Sequence, residues 1–586
     1  MSVEQWVAGP RHLSTERAAR SPMSAVALGV GLVAFVVHAW GALGGYFGQD
    51  DFVITHRAGQ GSPVDLGYLF QVYSGHLQPG VFCYAWVVTA VAPLSFPVAM
   101  GPLLVVHGLV LWFCWRALVR LFGRRWGVVV AFSVFACSPL VLFPTLWWAY
   151  ALQLLPVLLA LFGAVLAQLR NAWLGVPWVV FGLLFYEKAA LIPAVLLAVT
   201  VLVAPAGEPP ILWALRRFRW VWLAHLAVLG LFALLYLSLT DPPGNENPVS
   251  SRDVLAFVWR SVADTLLPGL FGGPLTGSGG GATWQPPPLA VRLGAGVAAV
   301  ALVVLSFLRS GRRALLPWLF LAGYLAADLS LVAATRLGVL GPVIASDPRY
   351  LADVVPVAVL CAAFAFLGPG DRGTVRANTR VAVGVLTVLV VVGGIASFVR
   401  VAPALQFREA REYVATARAA LAEHPGMVLY DTAVPNQLIV DWFVDDAFTS
   451  RVVGLVPERP RFDRPAEELY QLDGTGTPQP IINLTDTTVA LAGPQPDCGY
   501  LVDRDTVRIP LEDTVDGRQI VRIGYFTGDS GHGTVRAGDT AVRVRFAEGL
   551  HVLHVVATGE YTHVEVSRPL PLVPICVTDV TVGVPG

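Results

Sequence analysis

The sequence predicts a polytopic α-helical membrane protein of about eleven transmembrane helices, followed by a domain that is mixed at first and then a β-sandwich or jelly roll. Three observations support this fold class. Hydrophobic residues make up 55% of the 586 residues and charged residues only 14%, with a mean hydropathy of +0.63. Apolar runs of about 16–23 residues recur along the first two thirds of the chain. Beyond about residue 400, segments of alternating apolar and polar residues replace them.

These patterns divide the chain into three predicted regions. They are a cytoplasmic N-terminal tail at 1–23, a transmembrane domain at 24–400 and an extracytoplasmic domain at 401–586. The first apolar run, SAVALGVGLVAFVVHAWGALGG, is too long for the core of a signal peptide. The other predicted spans are 97–119, 126–147, 149–168, 173–186, 189–204, 221–240, 289–308, 314–335, 351–368 and 381–400.

Arginine clusters predict how the spans are oriented. Basic residues concentrate in cytoplasmic loops, so Arg11, Arg17 and Arg20 predict a cytoplasmic N-terminus in the plasma membrane. Every second predicted loop is arginine-rich and the intervening loops are poorer in basic residues. The predicted inner loops carry Arg116, Arg120, Arg124, Arg125, Arg170, Arg216, Arg217, Arg219, Arg309, Arg312, Arg313, Arg372, Arg376 and Arg380.

The first long outer loop is predicted at 48–96 and contains two apolar segments. PGVFCYAWVVTAVAPL (79–94) is apolar enough to cross the membrane, but counting it as a span would invert every later loop. We therefore expect an interfacial or re-entrant helix there. In DLGYLFQVY, the residues Leu66, Leu69, Phe70 and Tyr73 have helical spacing and predict a second surface helix.

The second long outer loop and the C-terminal region also contain local signals. In the loop predicted at 241–288, Ser250 with Asp253 predicts a capping box at the start of an amphipathic helix. LQFREAREYVATARAALAEH predicts an amphipathic helix leaving the membrane, and AVRVRFAEGLHVLHVVA and YTHVEVS predict strands. If this region is extracytoplasmic, its Cys498 and Cys576 are compatible with a disulfide, which the sequence does not require.

Asp50 and Asp51 follow the first apolar run directly, in QDDF. They are candidates for solvated loop charges, for a cation site or for a catalytic pair. Adjacent carboxylates repel each other, which raises one pKa toward that of a general base, or they hold a divalent cation together. His56, Arg57 and His76 are near in sequence and are candidates for tuning the pair or holding an anion. No HxxxH or CxxC spacing elsewhere indicates a metal site.

Further candidates lie at the edges of later spans. Glu187 and Lys188 interrupt an apolar region, where they either neutralise each other in a short outer turn or offer Lys188 to a lipid-linked phosphate. Arg349 and Tyr350, in SDPRYLADVVP, stand at an outer mouth where arginine binds phosphate or reaches lipid headgroups. Asp328 and Asp353 are expected to pair with Arg336 or Arg349. Trp147, Trp148 and Tyr150 predict an interfacial aromatic belt or, alternatively, a platform for stacking a sugar.

Several short patterns together resemble the GT-C class of integral membrane glycosyltransferases. This class includes protein O-mannosyltransferases, aminoarabinose transferases, and actinobacterial arabinosyl- and mannosyltransferases. The matching patterns are QDDF after the first span, GHLQPG before a surface helix, RLFGRR on the inner face, SPLVLFPTLWWAYALQ, FYEKAALIPA and DPRYLADVVP. The resemblance covers about residues 24–400.

The resemblance implies an acidic catalytic base just after the first span, which is Asp50 or Asp51 here. It also implies that basic residues of later outer loops hold the donor phosphate, which points to Arg349 and Lys188. The loop 144–153 lacks a second, DxD-like acidic motif, so a divalent cation remains an open alternative. The implied function is transfer of a sugar from a polyprenyl-phosphate donor to an extracytoplasmic glycan, lipid or protein acceptor.

A non-enzymatic membrane factor for translocation or assembly of cell-envelope polysaccharide is the alternative from a different functional class. A transporter would be expected to contain internal repeats and paired broken helices, and the sequence shows no repeat. A degenerate glycosyltransferase that only binds glycan is a third reading. The net charge of zero gives no indication of a nucleic-acid partner, whereas membrane lipids are expected partners of so apolar a chain.

Overall fold

The computed structural model describes residues 22–205, 207–240, 248–273, 276–278, 283–368, 377–444, 446–503, 505–568 and 574–586. The chain divides into two compact units, Met1–Arg408 and Glu409–Gly586. The predicted tail at 1–23 lies almost wholly outside the described residues. So do part of the predicted loop 241–288 and the arginines Arg11, Arg17, Arg20, Arg372 and Arg376.

The first unit is helical. Its α-helices, numbered in chain order, are α1 Pro22–Leu43, α2 Asp50–Gln60, α3 Leu66–Leu69, α4 Pro79–Val91, α5 Phe96–Phe122, α6 Trp126–Ala136, α7 Pro139–Leu142, α8 Trp148–Arg170, α9 Gly175–Leu183, α10 Ile192–Leu202, α11 Pro210–Arg217, α12 Arg219–Leu239, α13 Ser251–Arg260, α14 Leu267–Leu270, α15 Leu289–Ser310, α16 Leu315–Val332, α17 Gly338–Leu340, α18 Val354–Leu367 and α19 Ala377–Val401.

Short helical turns and two hairpins connect these helices. The 3₁₀ turns are Pro144–Leu146, Ala172–Leu174, Glu187–Leu191, Gly311–Ala314, Pro342–Ser346, Pro348–Tyr350 and Ala402–Leu405. The π-helical turns are Ser261–Leu266 and Ala333–Leu337. The hairpin strands are β1 Val72–Tyr73 with β2 His76–Leu77, and β3 Thr276–Ser278 with β4 Thr283–Gln285.

Proline and glycine set the ends of several helices. Pro79 stands in the first turn of α4, where a missing N–H costs no intrahelical hydrogen bond. Gly123 follows α5 with φ 75°, a conformation that glycine adopts without a steric penalty. Ser250 and Asp253 form the predicted capping box at the start of α13, so that prediction is confirmed.

Six helical stretches within the described residues are long and apolar enough to cross a membrane, judged by length and composition. They are Pro22–Leu43, Phe96–Phe122, Trp148–Arg170, Arg219–Leu239, Leu289–Leu340 and Gly384–Glu423. Shorter apolar helices are Pro79–Val91, Trp126–Leu142, Ala172–Leu183 and Val354–Leu367. This helix content and the composition assign the protein to a membrane, while the total of about eleven spans stays a prediction.

The outer loop after α1 differs from its prediction in two places. Asp50 and Asp51 begin a helix, α2, that the sequence analysis did not predict. The second predicted surface helix is wrong beyond Leu69, because the chain turns into the hairpin β1–β2 instead. Ser74 and Gly75 form the two-residue turn with φ of 50° and 76°, the positive pair that tight hairpins favour.

The apolar segment predicted to stay at the surface forms a short helix. It is α4, with 13 residues. At 1.5 Å per residue such a helix is about 20 Å long, which is less than the roughly 30 Å of a hydrocarbon core. It therefore does not cross a membrane as a single helix, which agrees with an interfacial or re-entrant position.

The second unit is rich in strands. It contains the predicted amphipathic helix, α20 Arg408–Glu423, and a short helix, α21 Thr449–Val453. The strands are β5 Val428–Leu429, β6 Arg461–Phe462, β7 Tyr470–Leu472, β8 Pro478–Pro480, β9 Leu484–Val489, β10 Tyr500–Val502, β11 Val507–Val515, β12 Gln519–Thr527, β13 Gly531–Ala537, β14 Thr540–Phe546, β15 Gly549–Ala557, β16 Tyr561–Ser567 and β17 Ile575–Pro585. The strands predicted from AVRVRFAEGLHVLHVVA and YTHVEVS are thus confirmed.

These strands form three sheets. A small sheet of order β6-β5-β7-β8 contains both parallel and antiparallel pairs. A five-stranded sheet of order β10-β17-β12-β15, with β9 beside β17, faces a four-stranded sheet of order β11-β16-β13-β14. Buried side chains of both larger sheets, such as Tyr525 and Val535, share one hydrophobic core, so the two sheets form a sandwich. A disulfide joins Cys498 to Cys576 on β17.

Candidate active site

The chain leaves α1 through a strained turn that ends at the aspartate pair. Gln49 is buried and has φ 53° and ψ −123°, a region that residues with a side chain rarely occupy. Two hydrogen bonds hold the turn: Asp51 N–H donates to the Gly48 carbonyl at 3.0 Å, and Phe52 N–H donates to the Gln49 carbonyl at 3.2 Å. The strain therefore lies immediately before the two carboxylates.

Asp51 is fully buried, and both of its carboxylate oxygens accept backbone hydrogen bonds. Oδ2 accepts from Gly48 N–H at 3.1 Å, and Oδ1 accepts from Ala149 N–H at 2.8 Å. Ala149 stands in the first turn of α8, where N–H groups lack partners inside the helix. The Asp51 carboxylate thus supplies a partner for the N-terminus of α8 from a segment about a hundred residues away in sequence.

Asp50, the residue before Asp51, lies in a different environment. It is only partly buried, and the Tyr73 hydroxyl lies near it. Burial raises the pKa of the Asp50 carboxyl, while the positive charges of Arg349 and Arg336 act in the opposite direction. Burial also raises the pKa of Asp51, against the two backbone N–H groups. Asp50 is thus the carboxylate that faces cationic side chains.

Arg349 is oriented by contacts on several sides. Its Nε lies 2.7 Å from Asp347 Oδ2, and its guanidinium carbon lies 5.0 Å from the centre of the Trp147 ring and 5.2 Å from that of Tyr350. The Tyr150 hydroxyl donates to its carbonyl oxygen. The terminal guanidinium nitrogens make no hydrogen bond with any residue in the described ranges, and a quarter of the side chain is exposed. These nitrogens can therefore donate hydrogen bonds to an anionic ligand.

His76 bridges an acid and a base. Its Nδ1 lies 2.7 Å from Glu187 Oε1, and its Nε2 lies 2.8 Å from a terminal nitrogen of Arg336. A guanidinium only donates, so Nε2 is the acceptor and the proton belongs on Nδ1, facing Glu187. Arg336 also donates to the Ser74 carbonyl at 2.6 Å. This network fixes Arg336 beside the hairpin β1–β2, near Asp50.

Three hydrogen-bond acceptors surround the ammonium group of Lys188. Its ammonium nitrogen lies 2.7 Å from Asp328 Oδ1, 2.8 Å from Asp353 Oδ1 and 2.8 Å from the Tyr350 carbonyl, and 5% of the side chain is exposed. The alternative in which Glu187 neutralises Lys188 is wrong, because Glu187 pairs with His76. The expected pairing of Asp328 and Asp353 with Arg336 or Arg349 is also wrong, because both carboxylates pair with Lys188. The three hydrogens of Lys188 leave none for a phosphate.

Arg57 and His56, two further candidates of the first outer loop, lie on α2. Arg57 stands over the Tyr73 ring at 5.0 Å and donates to Gln71 Oε1 at 3.4 Å. His56 makes a hydrogen bond of 3.0 Å with Gln60 on the exposed side of α2. Arg57 thus contacts Tyr73 at the edge of the site, whereas His56 contacts a residue of its own helix.

The two tryptophans before α8 have separate surroundings. Trp148 is fully buried, donates from Nε1 to the Ala99 carbonyl at 3.2 Å and packs on Phe47. It is a core residue and has no exposed face for stacking a sugar. Trp147 is partly buried and faces Arg349, so of the pair it is the one that borders the site.

Three residues near the site were not predicted as part of it. Tyr73 was interpreted as part of a surface helix, Arg336 as an ion-pair partner of Asp328, and Tyr150 as part of the aromatic belt. No sequence signal connects Arg336 to His76, because the two residues are separated by 260 positions. The turn residues Ser74 and Gly75 are a signal that could have placed Tyr73 at the end of a strand.

A divalent cation shared by the aspartate pair would have to bind Asp51 oxygens that each already accept one backbone N–H. Within the described residues, no group of three or more His, Cys, Asp or Glu side chains is placed to hold a metal ion.

No protein-family model matches the chain, and no curated protein matches it. Solved structures that resemble it include the following two. One is ArnT from Cupriavidus metallidurans bound to undecaprenyl phosphate, with a TM-score of 0.44 and 13% identity over 76% of this chain and 93% of ArnT. The other is the arabinofuranosyltransferase AftD from Mycobacteria, with a TM-score of 0.41 and 12% identity over 95% of this chain. This chain covers 58% of AftD. With scores and identities this low, we base function on the side chains alone.

Proposed function

We propose that this protein is a membrane glycosyltransferase of the GT-C type, with Asp50 as its general base. The donor is a sugar on a polyprenyl phosphate, and the acceptor is an extracytoplasmic glycan, lipid or protein. The observation that carries the proposal is the position of Asp50, a partly exposed carboxylate at the end of the first apolar helix that faces Arg349, Arg336 and His76. A lone base among cationic groups suits a reaction in which an anionic leaving group departs.

In the proposed reaction, Asp50 accepts the proton of the acceptor hydroxyl. The acceptor oxygen forms a bond to the anomeric carbon of the donor sugar, while the bond from that carbon to the phosphate oxygen breaks. The electron pair of the broken bond leaves with the polyprenyl phosphate, whose negative charge increases. Arg349 and Arg336 stabilise that charge, and the proton stays on Asp50 until it is released to water.

Arg349 is the main phosphate ligand in this proposal. Its free terminal nitrogens can bind two phosphate oxygens, and its contacts with Trp147 and Tyr350 fix the plane of the guanidinium. Lys188 has a supporting role, because its ammonium holds the Tyr350 carbonyl next to Arg349. His76 and Glu187 in turn orient Arg336. Arg349 and Arg336 thus contact the donor, and Lys188, His76 and Glu187 position them.

The Cys498–Cys576 disulfide supports an extracytoplasmic position for the second unit. Disulfides persist in oxidising compartments and are rare in the cytoplasm. Together with the predicted cytoplasmic N-terminus, this gives a multi-pass plasma-membrane protein whose strand-rich unit is available to an acceptor outside the cell.

Substitution of each aspartate by asparagine tests the assignment of the base. Asp50→Asn should lower kcat by about 10²–10⁴-fold, the usual contribution of a general base, with an unchanged unfolding temperature. Asp51→Asn should instead lower the unfolding free energy by about 1–3 kcal/mol, because one buried backbone N–H loses its acceptor. Transfer from a synthetic polyprenyl-phosphate sugar and thermal unfolding in detergent measure the two effects. Full transfer by Asp50→Asn would exclude the mechanism.

The glycolipids of a deletion strain distinguish the enzyme from a non-enzymatic envelope factor. Loss of a transferase should cause its polyprenyl-phosphate sugar to accumulate, and expression of the wild type but not of Asp50→Asn should reverse this. A translocation or assembly factor predicts rescue by both, since neither role requires a base at position 50.

A further inference from the structure

The second unit carries a basic surface that its composition does not lead one to expect. Residues 409–586 contain 14 arginines and no lysine, against 25 aspartates and glutamates. The unit as a whole is therefore strongly acidic at neutral pH. A cluster of positive charge on such a unit needs a specific explanation.

The register of the four-stranded sheet defines this surface. Across β13 and β14, His532 is opposite Arg545, Thr534 is opposite Arg543 and Arg536 is opposite Ala541. Residues directly opposite each other point to the same side of a sheet. Their neighbours along the strands, such as Val535 and Val544, are buried in the sandwich core. The outer side thus presents what we call the basic face, formed by His532, Arg536, Arg543 and Arg545.

The arginines of the basic face lack ion-pair partners. The register also places Glu565 of β16 on this side, opposite both Arg508 and Arg536. Glu565 makes its ion pair with Arg508, at 3.1 Å. In the described part of the chain, no ion pair involves Arg536, Arg543 or Arg545. The basic face is thus a cluster of arginines whose positive charge is not neutralised by an ion pair within the described chain.

Protection of a sheet edge does not account for the whole cluster. Charged side chains on edge strands prevent the strands of two molecules from pairing, and β14 is an edge strand. This explains Arg543 and Arg545. Arg536 belongs to β13 and is opposite residues of both β14 and β16, so at this position there is no edge to protect.

We propose that the basic face binds an anionic polysaccharide, one whose sugars carry carboxylate or phosphate groups. Arginine forms two parallel hydrogen bonds with such groups, and the Thr534 hydroxyl between the arginines can hydrogen-bond to sugar hydroxyls. A lipid surface fits less well. Binding to a lipid surface is strengthened by apolar side chains that insert, and the outward apolar residues of these two strands include none larger than Ala541.

Binding of polygalacturonate to the full-length protein in detergent micelles tests this proposal. The triple variant Arg536→Gln, Arg543→Gln and Arg545→Gln should bind the polymer more than about tenfold more weakly, because it lacks three charge-assisted contacts. A control variant makes the same charge change elsewhere in the unit, at the exposed Arg459, Arg461 and Arg464. It should bind as the wild type does. Neutral dextran should not bind.

Three results would overturn the proposal. The first is equal binding of polygalacturonate by the wild type and the Arg536, Arg543, Arg545 variant, or no binding by either. The second is equal affinity of the wild type for dextran and polygalacturonate. The third is binding to phosphatidylglycerol vesicles that depends on the three arginines, without binding of the polymer, which would identify a membrane-binding surface instead. Transfer activity is not part of any readout, so the outcome is independent of the proposed reaction.

Discussion

Asp50 and Asp51 illustrate how one peptide bond separates two environments. The strained Gln49 turn directs Asp51 inward, where it binds Gly48 and the N-terminus of α8. Asp50, one position earlier on the same turn, faces Tyr73 and the cationic side chains. The proposed division of labour follows, because both Asp51 oxygens hold backbone N–H groups while Asp50 faces the side chains of the site.

The pH dependence of transfer follows from the state of Asp50. Protonated Asp50 cannot act as a base, and burial raises its pKa above the ordinary value of about 3.9. We therefore expect kcat/KM to fall as the pH decreases through this raised pKa, and the acidic limb to lie above pH 4 or so. Arg349→Gln removes a charge that lowers the pKa, so it should move the limb to higher pH. A pH profile of kcat/KM measures both.

Arg349→Lys is the matched control for this profile. It keeps the positive charge near Asp50 but loses the planar group that stacks on Trp147. The limb should stay where it is in the wild type while transfer decreases. A limb that moves equally in both variants would mean that the charge of Arg349 does not act on Asp50.

At the scale of elements, the hairpin β1–β2 is held in place from two distant helical segments. The Tyr236 hydroxyl of α12 donates to the Gly75 carbonyl at 2.8 Å, and Arg336 of the π-helical turn donates to the Ser74 carbonyl. π-Helical turns are frequent at functional sites, and this one carries the arginine into the network of His76. The tip of the hairpin thus has one neutral anchor and one charged anchor.

Replacing Tyr236 and Arg336 one at a time distinguishes the role of each residue in holding the hairpin from the role of the Arg336 charge. Arg336→Gln should lower kcat/KM by more than about tenfold, since hydrogen bonds to charged groups contribute about 1.5–3 kcal/mol. Tyr236→Phe removes only a neutral hydrogen bond, and a loss of roughly twofold to tenfold is expected. Steady-state kinetics with the donor at varied concentration measures both. Equal losses in the two variants would indicate that Arg336 serves only to hold the hairpin.

Lys188 also holds separate elements together. Its ammonium joins the 3₁₀ turn Glu187–Leu191 to Asp328 on α16 and to Asp353 before α18. Lys188→Met leaves two buried carboxylates unpaired, and we expect the unfolding free energy to fall by about 3–5 kcal/mol. Adding Asp328→Asn and Asp353→Asn should restore part of the loss. Thermal unfolding in detergent measures this, and an unchanged midpoint with reduced transfer would favour the phosphate-binding interpretation of Lys188.

At the scale of the whole molecule, the disulfide reports on the compartment of the second unit. Cys498 and Cys576 are 78 residues apart, so their bond restricts a long loop of the unfolded chain. Replacing both by serine should lower the unfolding free energy of the unit by about 2–5 kcal/mol. In intact cells, neither thiol should react with a maleimide until a reductant is added.

A Cys83→Ser background serves as the control for this labelling, because Cys83 is the exposed free cysteine and the other free cysteines of the described chain are buried. Labelling of Cys498 and Cys576 without a reductant would contradict an oxidising location for the unit. It would then argue for the opposite orientation of the membrane helices.

Local patterns determined a large part of what the sequence by itself could predict. The membrane assignment, the helix α20, the capping box of Ser250 and the strands β14 to β16 all depend on composition or on periodicity within about twenty residues. The motifs also indicated QDDF as a candidate site. A local turn was misinterpreted once, where Ser74 and Gly75 convert a helical spacing into a hairpin.

The tertiary structure alone decided which charged side chains meet. Lys188 binds Asp328 and Asp353 rather than Glu187, and His76 binds Glu187 and Arg336, across separations of 111 to 260 residues. Such choices depend on which helix ends the fold brings together, and a buried charge pairs with whichever partner is within reach. For the same reason the sequence could propose two aspartates, and only their burial and partners distinguished Asp50 from Asp51.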